Sequence, residues 1–208
     1  MTNSLHHNLL LIPLLLCYLT AIFITPALAM ETALQAGNPS AYKSDSEFRN
    51  AILSTSNKYR AEHKAPPLKW DQSLADASLK HAKKCIFEHS GNPGGENIVT
   101  GASDPTAAVE LWGNERDKFD FANGGFSHET GHFTQLVWKA TQAVGCARVD
   151  CGRKGSARRM RRGKREVADV EGTAVEVGGK AYGWFVVCEY SPAGNAKGAF
   201  RENVQKKG

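Results

Sequence analysis

The apolar positions along the chain fall into three patterns. From Leu9 to Thr25 they are almost continuous. From Phe48, through Ile52, Leu53 and Tyr59, they form an apolar stripe on one helix face. The Ser44-Asp45-Ser46 cluster offers caps for that helix and Pro66-Pro67 ends it. A second helix is predicted from about Asp71 to Lys84, with Leu74, Ala75, Ala82 and Cys85 inward. A third opens with Asp104 as cap and Pro105 in its first turn, and buries Val109 and Trp112. A fourth, short helix starts after Gly131. Val144–Val149 and Trp184–Tyr190 then read as strands. Helices first and strands later, with long loops between and no internal repeat, predict an α+β layered domain.

The leading apolar run lies in 29 residues without Lys, Arg, Asp or Glu and ends in Ala27-Leu28-Ala29. That small-x-small site predicts a secretory signal peptide over residues 1–29, an uncleaved anchor being the alternative. Secretion to the extracellular space is the expected destination. Residues 30–44, small and polar, are expected to be a disordered lead-in to a domain over 45–208. No second apolar run approaches the roughly 20 residues needed to span a bilayer.

Of five cysteines, Cys17 leaves with the signal. Cys85, Cys146, Cys151 and Cys188 form an even set in an oxidising compartment, so two disulfides are expected, with three pairings open. The net charge of +5 comes wholly from residues 152–183, which carry nine Lys or Arg against four Asp or Glu. The remaining body is neutral, which argues against nucleic acid as a partner. This glycine-rich basic stretch separates two strands that would otherwise form a tight hairpin. It reads as a surface loop insertion. Its alternatives are a patch for a membrane surface or cell-wall polymer, or a retained intron.

Residues 128–132, His128-Glu129-Thr130-Gly131-His132, satisfy H-E-x-x-H. That zinc-peptidase pattern works only when both histidines share a helical face. Gly131 costs about 1 kcal/mol within such a turn, the helical pattern begins at Phe133, and no third ligand comes from a later helix. The pentapeptide is read as coincidental.

The stretch that overlaps its end is more specific. GHFTQLVW at 131–138 closely resembles the first signature of the CAP superfamily, which unites cysteine-rich secretory proteins, antigen 5 and pathogenesis-related class-one proteins. FVVCEYSPAGN at 185–195 looks like its second signature, with Glu189 where the family usually has Asn or another uncharged or basic polar residue. His89 in CIFEHS, Glu96 in GGENI and Glu115 in WGNE resemble the remaining blocks, and they occur in family order from about Phe48 to Val204. The resemblance implies a three-layer α-β-α sandwich with a central antiparallel sheet. It also implies the pairings Cys85–Cys151 and Cys146–Cys188.

By the same resemblance His89, His132, Glu96 and Glu115 converge in one open cleft. Two neutral imidazoles with carboxylates suit a divalent ion, zinc or magnesium; the alternative is a hydrogen-bonded polar network that organises loops. No Ser or Cys nucleophile is marked beside them, so no catalytic residue is assigned. His63 and His81, on the first two helices, are expected to be exposed and without a role. The FDFANGGF loop matches in its aromatic spacing the sterol-binding loop of yeast secreted members, which makes Phe119, Phe121 and Phe126 the expected lipid contacts. The alternative is that Phe119 or Phe121 packs into the core. The missing third disulfide of plant members makes the chain resemble secreted fungal sterol-binding members most. The leading expectation is thus a monomeric, non-enzymatic secreted protein that binds sterols or related lipids. A defence- or virulence-related interaction protein and a metal-dependent hydrolase are the alternatives.

Overall fold

In the computed structural model, residues 38–152, 166–168, 174–176 and 179–208 are described. The expected signal peptide, most of the lead-in and the basic run at 153–165 lie outside them. The first helix, α1 (Asp45–Glu62), is capped where the sequence predicts: Ser44 accepts from the Glu47 amide. A short strand, β1 (Lys69–Trp70), precedes α2 (Gln72–Ala82), whose cap Asp71 accepts from the amides of Ser73 and Leu74. Then come β2 (Gly95–Thr100) and α3 (Pro105–Asn114), with Asp104 capping Ala107. A 3-10 turn over Glu115–Lys118 leads through the phenylalanine loop to α4 (Gly131–Leu136). The strands β3 (Ala143–Asp150), β4 (Glu166–Ala168), β5 (Ala174–Glu176) and β6 (Trp184–Ser191) and a last turn, α5 (Phe200–Asn203), complete the order.

The main sheet has the order β1-β3-β6-β2, and β4 and β5 form a separate two-stranded ladder. β6 is antiparallel to both β3 and β2, whereas the two-residue β1 runs parallel to β3. The sheet is therefore mixed, with an antiparallel centre and one short parallel edge. β2 is not legible as a strand in the sequence, because Gly95, Glu96 and Asn97 break the apolar run before Ile98. Its pairing with β6 supplies what local propensity lacks.

Side chains alternate across β6. Val186, Cys188 and Tyr190 join the larger core, with Phe48, Ile52, Trp112, Phe133, Leu136 and Trp138 from the helices. Phe185 and Val187 face a smaller core with Ala82, Ile98 and Cys151. The layers are thus α1, α3 and α4 on one face and α2 on the other. α2 sits directly on β3 at Gly145, where any Cβ would collide with the α2 backbone at Asp71 and Ala75. Ser78 fixes that contact by donating to the Gly145 carbonyl at 2.8 Å.

Both disulfides pair as the resemblance implies, Cys85–Cys151 and Cys146–Cys188. The second joins directly opposed residues of β3 and β6. The first closes the smaller core. Beside it the Ala181 amide donates to the Cys85 carbonyl, and Phe87 donates to Gly179. Residues 179–183 consequently belong to the folded body, and the expected insertion ends earlier than 183. The expected lead-in also differs. Pro39–Lys43 form a 3-10 turn that buries Ala41 and Tyr42, with Tyr42 stacked 4.7 Å from Trp184.

Two kinds of buried polar residue join the elements. Arg60 is fully buried and has no carboxylate partner among the described residues. Its guanidinium donates to the carbonyls of Pro66, Leu136, Trp138 and Thr141 at 2.7–2.9 Å. Burial lowers its pKa to about 10, which leaves it charged at neutral pH. His63 and His81, expected to be exposed, are 1% and 3% exposed, because each ring bonds a backbone carbonyl of another segment. His81 Nε2 lies 2.7 Å from the Glu88 carbonyl, and His63 Nδ1 lies 2.7 Å from that of Gln205. The His63 ring stacks on Phe121 and meets Phe133 edge-on.

Removing the guanidinium strands several buried carbonyls at once, each costing about 1–3 kcal/mol when unpaired. Arg60→Leu is expected to lower the unfolding free energy by about 3 kcal/mol or more in urea titration, with Arg60→Lys recovering only part. Burial depresses the His63 pKa, which the Gln205 carbonyl only partly offsets. Arg116 and Lys207 oppose protonation and Glu62 favours it. The folded protein thus binds this proton less readily than the unfolded chain. Stability from His63 is full above the ordinary histidine pKa of about 6.5 and is lost as pH falls below it. Melting curves from pH 7.5 to 5 should therefore fall less steeply for His63→Gln than for the wild type.

Candidate functional site

Glu115 leaves the end of α3 and reaches the first turn of α4. Its carboxylate accepts the amides of His132 and Phe133 at 3.0 Å each, satisfying N–H groups that a helix start leaves unpaired. Its other oxygen lies 2.6 Å from His132 Nδ1. The ring is thereby fixed and stacks on Trp112, with centroids 6.3 Å apart.

A second carboxylate–imidazole pair is built on β2. Glu96 Oε1 lies 2.7 Å from His89 Nδ1 and accepts the Ser90 amide at 3.0 Å. The Glu96 side chain is 6% exposed and that of His89 62%. The bond to Glu96 raises the His89 pKa. Burial works against ionisation of Glu96, yet the hydrogen bonds from His89 and Ser90 outweigh it and hold the carboxyl at about 2.

Glu189 lies opposite Glu96 in the β2–β6 register and is 2% exposed. Burial, with the Glu96 charge adding to it, raises its pKa. It accepts from Ser90 Oγ at 3.1 Å and from Asn92 Nδ2 at 2.8 Å, so it ties down the segment that carries His89. The chain departs from the CAP pattern at this position. The departure is visible in the sequence, but its role exists only once β2 and β6 are paired.

The two dyads flank the same edge strand. Glu96 and its neighbour Asn97 point to opposite faces of β2, and Asn97 donates to the His132 carbonyl at 3.0 Å. His89, Glu96, Glu115 and His132 therefore stand as two pairs and do not close into one four-ligand cluster. Among the described residues no group of three or more His, Cys, Asp or Glu side chains is placed to hold a metal ion. An ion held by the imidazoles alone would call on their other ring nitrogens. Both Nδ1 atoms are taken by carboxylates, while neither Nε2 has a hydrogen-bond partner among the described residues. The carboxylates would then orient the rings from outside the ion's own shell.

No nucleophile joins the dyads among the described residues. The Ser90 hydroxyl donates to Glu189 rather than to an imidazole, and all four described cysteines are in disulfides. His128 and Glu129 are exposed turn residues ahead of α4, so H-E-x-x-H never lies on one helix.

The three expected lipid contacts divide. Phe119 is 8% exposed and packs on Phe133, while Phe121 is half-buried between Phe119, Phe133 and His63. Only Phe126, 56% exposed, presents its ring to solvent. The first two rings turn inward, where burying each is worth about 1.5–3 kcal/mol. Beside Phe126 an open groove of about 630 Å³ runs between Asn123–Phe126 and a wall formed by Asn195, Lys197, Gly198, Phe200 and Arg201. Nothing in the sequence signals this second wall, which comes from a distant segment. Gln135 positions it: its Oε1 accepts the Gly194 amide at 2.7 Å, and its side chain fills the space a Cβ would need at Gly95 or Gly194.

Residues 53–190 match the family model described as CAP, the cysteine-rich secretory protein family. Protein PRY2 of Saccharomyces cerevisiae is 33% identical over 163 residues, covering 76% of this chain and 41% of PRY2. Secreted protein RBT4 of Candida albicans is 34% identical, covering 74% of this chain and 37% of RBT4. The chain thus spans well under half the length of these fungal relatives. The pathogenesis-related protein PR-1 of Medicago truncatula is 30% identical, with 88% of this chain and 95% of PR-1 covered. Among solved structures, the hookworm platelet inhibitor superposes with a TM-score of 0.52 at 22% identity, over 80% of this chain and 79% of that one, a likeness of fold alone. On the family match and these identities, the chain belongs to the cysteine-rich secretory protein (CAP) family.

Proposed function

We propose that this protein is a secreted, non-enzymatic carrier that binds a sterol or related lipid in the groove beside Phe126. The observation that carries the reading is the groove itself. Its volume lies within the range of small-molecule sites. Gly124 and Gly125 let its loop approach a ligand closely, and its rim holds the most exposed large hydrophobic side chain of the described residues. Phe119 and Phe121 serve this reading as the anchor of the loop, with Phe126 as the contact. An extracellular location accords with the names of two Candida albicans relatives, secreted protein RBT4 and secreted protein PRY1. A defence-related role is suggested by the plant relative's name.

The test is sterol binding by the purified protein. Covering the part of the Phe126 ring still exposed should contribute about 1–1.5 kcal/mol, so Phe126→Asp is expected to weaken binding about five- to tenfold with an unchanged melting temperature. Equal binding by the two proteins, or none by either, would overturn the reading.

A divalent ion held by the imidazoles is a second reading, favoured by the two Nε2 atoms left uncommitted while carboxylates hold both Nδ1 atoms. Zinc titration by calorimetry should show one site that is lost in both His89→Ala and His132→Ala. Heats that match between the wild type and the double variant would remove it.

A further inference from the structure

The groove beside Phe126 has an asymmetric lining. Its apolar parts are Phe126, Phe200 and the glycines, its charged parts are Lys197 and Arg201, and no acidic side chain lines it among the described residues. Both cations are exposed, and neither side chain makes a hydrogen bond or ion pair among the described residues. The two asparagines of the lining are already committed. Asn195 accepts from Thr134 Oγ1 at 2.6 Å and donates to the Gly131 carbonyl at 2.9 Å. Asn123 donates to Asp120 at 2.8 Å. Asp120 in turn accepts the amides of Ala122 and Asn123, so its charge is spent inside its own turn.

A neutral sterol brings one hydroxyl and would leave both cations unpaired while its body strips water from the walls. A charge losing solvent without a partner is penalised, and an opposite charge on the ligand offsets the loss. A guanidinium also matches the planar geometry of carboxylate and the oxygens of sulfate with paired N–H donors. We infer that the groove selects amphiphiles whose flat apolar body carries an anionic group, a sulfate or a carboxylate, held by Lys197 and Arg201 while Phe126 covers the apolar part. The inference rests on the lipid-binding reading above and narrows its ligand class.

Cholesterol and cholesterol sulfate, titrated separately into the purified protein at low salt, test it. The sulfate ester should bind roughly three- to tenfold more tightly, the span expected when partly exposed ion pairs form. In the Lys197→Gln/Arg201→Gln variant the two affinities should converge, and about 0.5 M salt should narrow the wild-type margin. Equal affinities in the wild type, or a preference that survives the double substitution, would overturn the inference while leaving sterol binding intact. Failure of both sterols to bind would overturn the lipid reading and this inference with it.

Discussion

A positive charge sealed in the protein interior must have its donors answered, and the fold is organised around meeting that demand for Arg60. Its guanidinium is answered by four carbonyls and, among the described residues, by no acid. One of those carbonyls, Leu136, belongs to the end of α4, where a helix leaves acceptors unpaired and favours a cation, and Trp138 lies just past it. The other two lie in the turn after α1 and in the segment that feeds β3. One side chain therefore sets the distance between α1, α4 and the sheet. Carbonyl dipoles answer four of the five N–H donors, which spares the fold the desolvation of a second buried charge.

Everything of chemical interest depends on where this holds α4. Its first turn takes Glu115 as a cap, and that same carboxylate fixes the His132 ring. Its middle presents Gln135 to Gly95 and Gly194, so the edge strand β2 and the wall of the groove are placed by one amide side chain. The dyads and the groove thus share a support, although they are built from separate parts of the chain.

The polar cluster on the other side of β2 obeys a different rule. Glu96 and Glu189 sit opposite each other across two strands, and two neighbouring carboxylates out of water do not ionise equally. Hydrogen bonds from His89 and Ser90 decide the contest: Glu96 keeps the charge, and Glu189 is driven toward its neutral form. The outcome is a segment tied down by its hydrogen bonds to Glu96 and Glu189 and carrying an exposed imidazole.

Local rules suffice for much of this. The caps Ser44, Asp71 and Asp104, the helical stripes of α1 and α3 and the apolar runs of β3 and β6 are legible in the sequence because each depends on residues within a few positions of one another. Family blocks locate His89, Glu96, Glu115 and His132, as well as both disulfides. Tertiary structure alone decides the rest. Periodicity cannot say that a histidine or arginine on a polar face is sealed by another segment, so nothing local marks His63, His81 and Arg60 as buried. β2 becomes a strand through pairing with β6, and Tyr42 becomes core through stacking on Trp184. Aromatic spacing cannot tell which phenylalanine rings turn inward, nor that Lys197 and Arg201 would face Phe126 across a groove. The sequence by itself determines what neighbours along the chain can do for one another; burial and long-range partners, which set charge state and exposure, exist only after the chain has closed.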